Sequence, residues 1–135
     1  MDTIAVLVVD NDADMRMTVR QALEDEQYVV FEAPDGPSAL NQLRSASQPM
    51  VVLLDLLMPG LDGIAVLHAL AADTTIAHRH TYILFTAASD AENVLSTGVP
   101  ADLRVSLLAK PFDIDELLAV VAQAVNQIAV REIKP

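Results

Sequence analysis

Four short polar interruptions of apolar runs carry the side chains of this chain that could do chemistry together. Asp10, Asn11 and Asp12 follow "IAVLVV", Asp55 ends "VVLLD", Thr86 ends "YILFT" and Lys110 ends "SLLAK". A carboxylate at the end of a buried run costs free energy unless other groups compensate it. The four sets answer one another chemically. A carboxylate can act as a nucleophile and form an acyl phosphate. Phosphoryl transfer asks for little covalent help, but its oxygens must be positioned and their charge offset. A Mg²⁺ ion held by one or two carboxylates and several waters does part of this. Lys110 would supply a point charge to a phosphoryl oxygen, and Thr86 a hydroxyl hydrogen bond. Beyond Asp55, Pro59 and Gly60 shape a tight turn that can aim a backbone carbonyl at the metal, with Leu57 the candidate.

Strand ends must hold these groups, and the apolar pattern supplies them. Short runs rich in β-branched residues ("IAVLVV", "YVVFEA", "MVVLL", "TYILFT", "RVSLLA") alternate with segments of helical period. The first such segment, "DADMRMTVRQALEDE", puts Met15, Val19, Ala22 and Leu23 on one face. The second, "DGPSALNQLRSAS", has Pro37 near its start and a stripe of Ala39, Leu40 and Leu43. "GIAVLHALAAD", "SDAENVLST" and "DIDELLAVVAQAVNQIAV" follow as helices, the last with Asp113 as its N-cap. Five strand–helix repeats with nearly continuous apolar strands predict a parallel sheet covered on both faces, an α/β doubly wound fold. Ligands of such sheets bind outside the carboxyl ends of the strands, where all four polar sets stand.

Bulk properties narrow the function. At 135 residues the chain is expected to be one domain, without internal repeat or linker, its core running from about residue 4 to 130. It is 53% apolar and 20% charged, which excludes a disordered acidic tail. A net charge of −11 without a Lys/Arg cluster argues against direct nucleic-acid or membrane-surface binding and leaves room for a divalent cation or a protein partner. There is no cysteine, no basic leader followed by a long apolar stretch, and no run near the roughly 20 apolar residues of a bilayer span. The cytoplasm is the expected setting.

"VLVVDND", "LLDLLMPGLDG", "LFTA" and "LAKPF" together resemble the marks of the response-regulator receiver domain of two-component signalling. The resemblance runs from about Ile4 to Val130. It implies a flavodoxin-like (βα)5 sheet of five parallel strands in the order 2-1-3-4-5, an order general knowledge assigns to flavodoxin and to a chemotaxis receiver. It also implies that Asp55 takes a phosphoryl group from a phosphohistidine on a partner histidine kinase or phosphotransfer protein. Asp10 and Asn11 would serve Mg²⁺ with Asp55 and the Leu57 carbonyl, while Thr86 and Lys110 would contact the phosphoryl group. The phosphorylated form would offer a changed surface to a downstream effector. Such a domain is a phosphoacceptor in signalling and not an enzyme in the ordinary sense.

The chain departs from the receiver pattern in several places. The second of two successive acids is replaced by Asn11, which predicts weaker metal binding; Asp12 could substitute in part. The aromatic expected three residues before the lysine is Leu107, and "GVPADLRVS" replaces the usual small-residue pair. Leu57 and Ala88, two past the acceptor and two past the threonine, are apolar. On Asn11 and Leu107 rests the alternative of a receiver-like interaction module that takes no phosphate. An aspartyl-phosphate hydrolase would need a second acid at Leu57, and a flavin protein a phosphate-cradling loop where this chain has acids.

Plainer roles fit other residues. Asp12 reads first as the start of helix one, and Asp62 as a helix cap. His68, His78 and His80 form no metal-ligand constellation and read as surface residues. Phe112 reads as semi-exposed packing, with contact to the kinase as its alternative. In the last helix Ile114, Leu117, Leu118, Val121, Val125 and Ile128 make a core stripe that Ala119, Val120 and Ala124 widen. Deep burial accounts for that width; a homodimer through the helix over 89–97, the fifth strand and the last helix is the other use for it.

Overall fold

The computed structural model describes residues 4–58, 60–87, 98–100 and 103–133, with residues 74, 87 and 129–133 entering through their backbone alone. Five parallel strands, β1 (Ala5–Val9), β2 (Val29–Ala33), β3 (Met50–Asp55), β4 (Thr81–Ala87) and β5 (Val105–Lys110), form one sheet in the order β2-β1-β3-β4-β5. This is the expected doubly wound flavodoxin-like fold. β3 lies at the centre of the sheet and is buried along its whole length. Successive strand residues face opposite sides, so its apolar run feeds two cores. Val52 and Leu54 pack with Leu40, Leu43, Val66 and Leu67 from α2 (Gly36–Ser45) and α3 (Gly63–Ala71). Val51 and Leu53 pack with Val19 and Leu23 of α1 (Ala13–Asp25) and Leu117, Val121 and Ile128 of the last helix.

Short polar side chains start the helices. Asp12, Asp35 and Asp62 cap α1, α2 and α3, each accepting backbone N–H groups. Such caps contribute about 1 kcal/mol each. Two further helices are described: a four-residue turn, α4 (Thr74–Ala77), absent from the periodicity reading, and the last helix, α5 (Ile114–Ile133). Asp113 accepts from the Glu116 N–H at 2.8 Å while Glu116 Oε1 accepts from the Asp113 N–H at 3.3 Å, a reciprocal capping box before α5. The helix expected over 89–97 lies outside the described residues, as does Ala88.

Two expectations need correction. Ile114 does not join the core stripe: it is 47% exposed, because the first turn of α5 stands off the sheet, while the small Ala124 is buried where the helix packs down. His80 is not a surface residue. It is buried, and its Nδ1 accepts the Met50 N–H at 3.0 Å, satisfying a donor at the start of β3 and leaving the ring proton on Nε2. His68 and His78 are exposed, as expected. No described helix is long and apolar enough to cross a membrane.

Candidate functional site

Strand register assembles the polar groups. Val9 pairs with Leu54, so Asp10 and Asp55 follow side by side at the carboxyl edge. Asp55 pairs with Phe85, Thr86 with Ala109 and Ala87 with Lys110, which places Thr86 one step and Lys110 two steps further along the same edge. Asp10, Asp55 and Thr86 are all buried. Lys110 Nζ reaches Asp55 Oδ1 at 3.1 Å, and the Leu57 N–H donates to the same oxygen at 3.3 Å. The lysine passes 5.9 Å from the centroid of the Phe85 ring, which packs on Phe112 at 5.1 Å. These aromatics hold a half-exposed ammonium over a buried carboxylate.

Gly63 sets how closely α3 approaches that carboxylate. A Cβ at this position would stand 2.6 Å from the Asp55 carbonyl oxygen, and the Gly63 N–H donates to the Leu56 carbonyl at 3.1 Å. Gly60, with φ of +77°, makes the left-handed step of the preceding turn. Pro59 lies outside the described residues.

Asp10 is the least satisfied group at this edge. Its Oδ1 accepts the Asp12 N–H at 2.9 Å, but its buried Oδ2 has no hydrogen-bond partner. Burial pushes its carboxyl above the usual carboxylate range. The Asp12 N–H opposes that shift, the Asp55 charge adds to it, and Lys110 opposes it again. Two neighbouring carboxylates with one ammonium between them are under-neutralised.

A hard divalent cation would answer this deficit, since Mg²⁺ takes oxygen ligands and keeps several waters. The orphaned Asp10 oxygen and the neighbouring Asp55 carboxylate are hard oxygen donors of that kind. Among the described residues no group of three His, Cys, Asp or Glu side chains gathers around a point. Asn11 is exposed, and Asp12 is committed elsewhere, its Oδ1 capping α1 through the Asp14 and Met15 N–H groups. Asp62 likewise caps α3 by accepting the Ala65 N–H.

The flanking positions follow the same geometry. The Leu57 side chain is 72% exposed, and Leu107 is half-buried against the core between the sheet and α2–α3. A groove of about 640 Å³ opens beside Lys110 between α1 and the β5–α5 connection, with Met15, Thr18, Phe112 and Ile114 among its walls.

Sequence reasoning missed a second charged cluster next door. Arg16 and Arg20, one turn apart on α1, both hold Glu32 near the end of β2. The Glu32 carbonyl accepts from Gln42 Nε2 at 2.8 Å. The i,i+4 spacing of the two arginines is visible in the sequence; their partner depends on β2 lying beside β1.

A family model described as a response regulator receiver domain matches residues 6–122. Transcriptional regulatory protein CseB of Streptomyces coelicolor is 34% identical over 113 residues, 83% of this chain and 45% of the relative. Response regulator MprA of Mycolicibacterium vanbaalenii is 36% identical over 116 residues, 86% of this chain and 48% of the relative. The chain thus spans less than half the length of these relatives. Among solved structures, the receiver domain of the Francisella response regulator 1452 matches with a TM-score of 0.76 at 29% identity, covering 93% of this chain and 98% of that one. Chemotaxis response regulator CheY4 of Vibrio cholerae matches with a TM-score of 0.77 at 26% identity, over 91% and 99% of the two chains.

Proposed function

This chain belongs to the response-regulator receiver family of two-component signalling, and we propose that it is a phosphorylated switch whose acceptor is Asp55. In this reading an Asp55 carboxylate oxygen bonds to the phosphorus of a partner's phosphohistidine as the N–P bond breaks. The partner is a sensor kinase or phosphotransfer protein, and its imidazole departs with a proton from solvent. Lys110, now 3.1 Å from Asp55 Oδ1, would shift its charge to a phosphoryl oxygen, and the Thr86 hydroxyl would donate to another. Asp10, Asn11, Asp55 and the Leu57 carbonyl would hold Mg²⁺, which when bound offsets the charge of the transferring group. The rest of the work belongs to the fold: burial excludes water from Asp55, and Gly63 fixes its main chain.

The observation that carries this reading is the buried, orphaned Asp10 oxygen beside the Asp55–Lys110 pair. An ordinary strand-end ion pair has no use for an extra unpaired carboxylate, whose burial costs free energy. The groove beside Lys110 supports a seat for the phosphodonor, with Phe112 and Ile114 as apolar contacts. The domain proposed to act this way has its core at about 4–130 and works in the cytoplasm. Phosphorylation would shift it between two conformations read by a downstream effector.

The test is incubation with acetyl phosphate or phosphoramidate and Mg²⁺, followed by intact mass. A labile adduct of one phosphoryl group is expected on the wild type and not on Asp55→Asn. No adduct on either would favour an interaction module that takes no phosphate.

A further inference from the structure

Arg16 stands on α1, away from the phosphoryl-acceptor strand, yet it makes the shortest side-chain contact to the acidic loop. Its Nη1 donates to the Asp10 carbonyl oxygen at 2.6 Å, while its Nε donates to Glu32 Oε1 at 3.2 Å. The other Glu32 oxygen is taken by Arg20 Nη1 at 2.6 Å, and Arg20 Nε also holds Glu24. Both sides of Asp10's main chain are therefore tied to β2: its N–H donates to the Ala33 carbonyl at 3.2 Å, and its carbonyl reaches Glu32 through Arg16.

Arg16 grips the peptide that leads from Asp10 to Asn11, through the carbonyl and not the Asp10 carboxyl. We infer that Arg16 is a positioning residue for the cation site, holding the Asp10–Asn11 peptide so that both side chains meet the ion. This inference rests on the proposed Mg²⁺ role of Asp10. It carries particular weight in this chain because Asn11 brings no charge of its own. A weak neutral donor depends more on preset geometry than a carboxylate does.

The guanidinium is suited to this task. Two donors on one planar fork reach two acceptors at fixed separation, which a lysine ammonium on a flexible stem does not reproduce. Arg20 is the natural control: it belongs to the same ion cluster and touches Glu32, but it makes no contact with Asp10.

The experiment uses the full chain, with Mg²⁺ binding measured by calorimetry and the Asn11 and Asp12 amide resonances followed by NMR without metal. Arg16→Ala is expected to weaken Mg²⁺ binding roughly tenfold, as loss of an outer-shell partner does, and to shift both amides before any metal is added. Arg16→Lys should recover less than half of that loss on a logarithmic scale. Arg20→Ala should leave affinity within about twofold, because it leaves the metal's outer shell intact. Should Arg16→Ala bind Mg²⁺ as the wild type does, while Asp10→Asn abolishes binding, the positioning role is overturned and the metal site stands. Equal losses in Arg16→Ala and Arg20→Ala would also overturn it. A wild type that binds no Mg²⁺ would remove the metal reading and this inference together.

Discussion

Two carboxylates near the carboxyl edge of adjoining strands meet opposite fates. Glu32, at the end of β2, is held by Arg16 and Arg20, and these bonds pull its carboxyl below the usual range despite some desolvation. Asp10, just past β1, is more deeply buried, keeps one oxygen without a hydrogen bond, and is pushed above that range by burial and then by Asp55. Glu32 belongs to a closed cluster in which each carboxylate oxygen already has a donor. Asp10 belongs to an open one that a cation would complete. The contrast shows how a structural ion cluster differs from a site: it is a difference of satisfaction, not of residue type. The closed cluster lends a guanidinium to the open one, since Arg16 serves both.

Removing the open cluster's ammonium should have the largest effect. Lys110→Ala is expected to slow phosphorylation by acetyl phosphate about a hundredfold, the scale seen when one preorganised charge stabiliser is lost; a mass time course measures it. A backbone shift comes next. Gly63→Ala puts a methyl against the Asp55 carbonyl and is expected to cost about 2 kcal/mol in urea unfolding, as overpacking does.

The two carboxylates themselves should answer with opposite signs. Without metal, Asp10→Asn is expected to stabilise the fold by about 1 kcal/mol, by removing a buried unsatisfied charge. It should also abolish the rise of Tm with Mg²⁺ that binding to the native state produces. Glu32→Ala should destabilise by about 1 kcal/mol, the scale of a partly exposed ion-pair network.

The subtlest difference is in pH. A carboxyl whose folded pKa is raised favours folding fully below its unfolded pKa, and that benefit is lost as pH rises through the folded value. Asp10 therefore costs stability at neutral pH, and the profiles of wild type and Asp10→Asn should converge on acidification. Glu32 behaves oppositely: its lowered pKa gives stability at neutral pH that disappears as pH falls through the folded value. Parallel profiles would mean that Asp10 is not the strained group.

What was legible in the sequence follows from what local pattern encodes. Apolar runs mark strands, and strands buried on both faces imply a parallel sheet whose carboxyl edge gathers whatever polar residue ends each run. Asp10, Asp55, Thr86 and Lys110 could be placed together on that ground. Caps at Asp62 and Asp113 were readable because capping is a bond over three residues. The Arg16–Glu32 link spans sixteen positions and exists only because β2 lies beside β1, so no local rule shows it. His80 was misread because a polar ring can be buried wherever a strand's first N–H needs an acceptor. Ile114 fits the helical stripe by spacing, but spacing does not say where a helix first touches its sheet. Gly63 reads correctly as the start of a helix, but nothing local shows that α3 meets the main chain of Asp55 there.

Asp55 is proposed to bond reversibly to phosphorus at this edge. Borohydride reduction after treatment with a phosphodonor and Mg²⁺ converts an aspartyl phosphate to homoserine, which peptide mass spectrometry can locate. Homoserine at residue 55, dependent on both phosphodonor and metal, is the predicted result. Homoserine at another aspartate, or none in a protein shown to bind Mg²⁺, would contradict it.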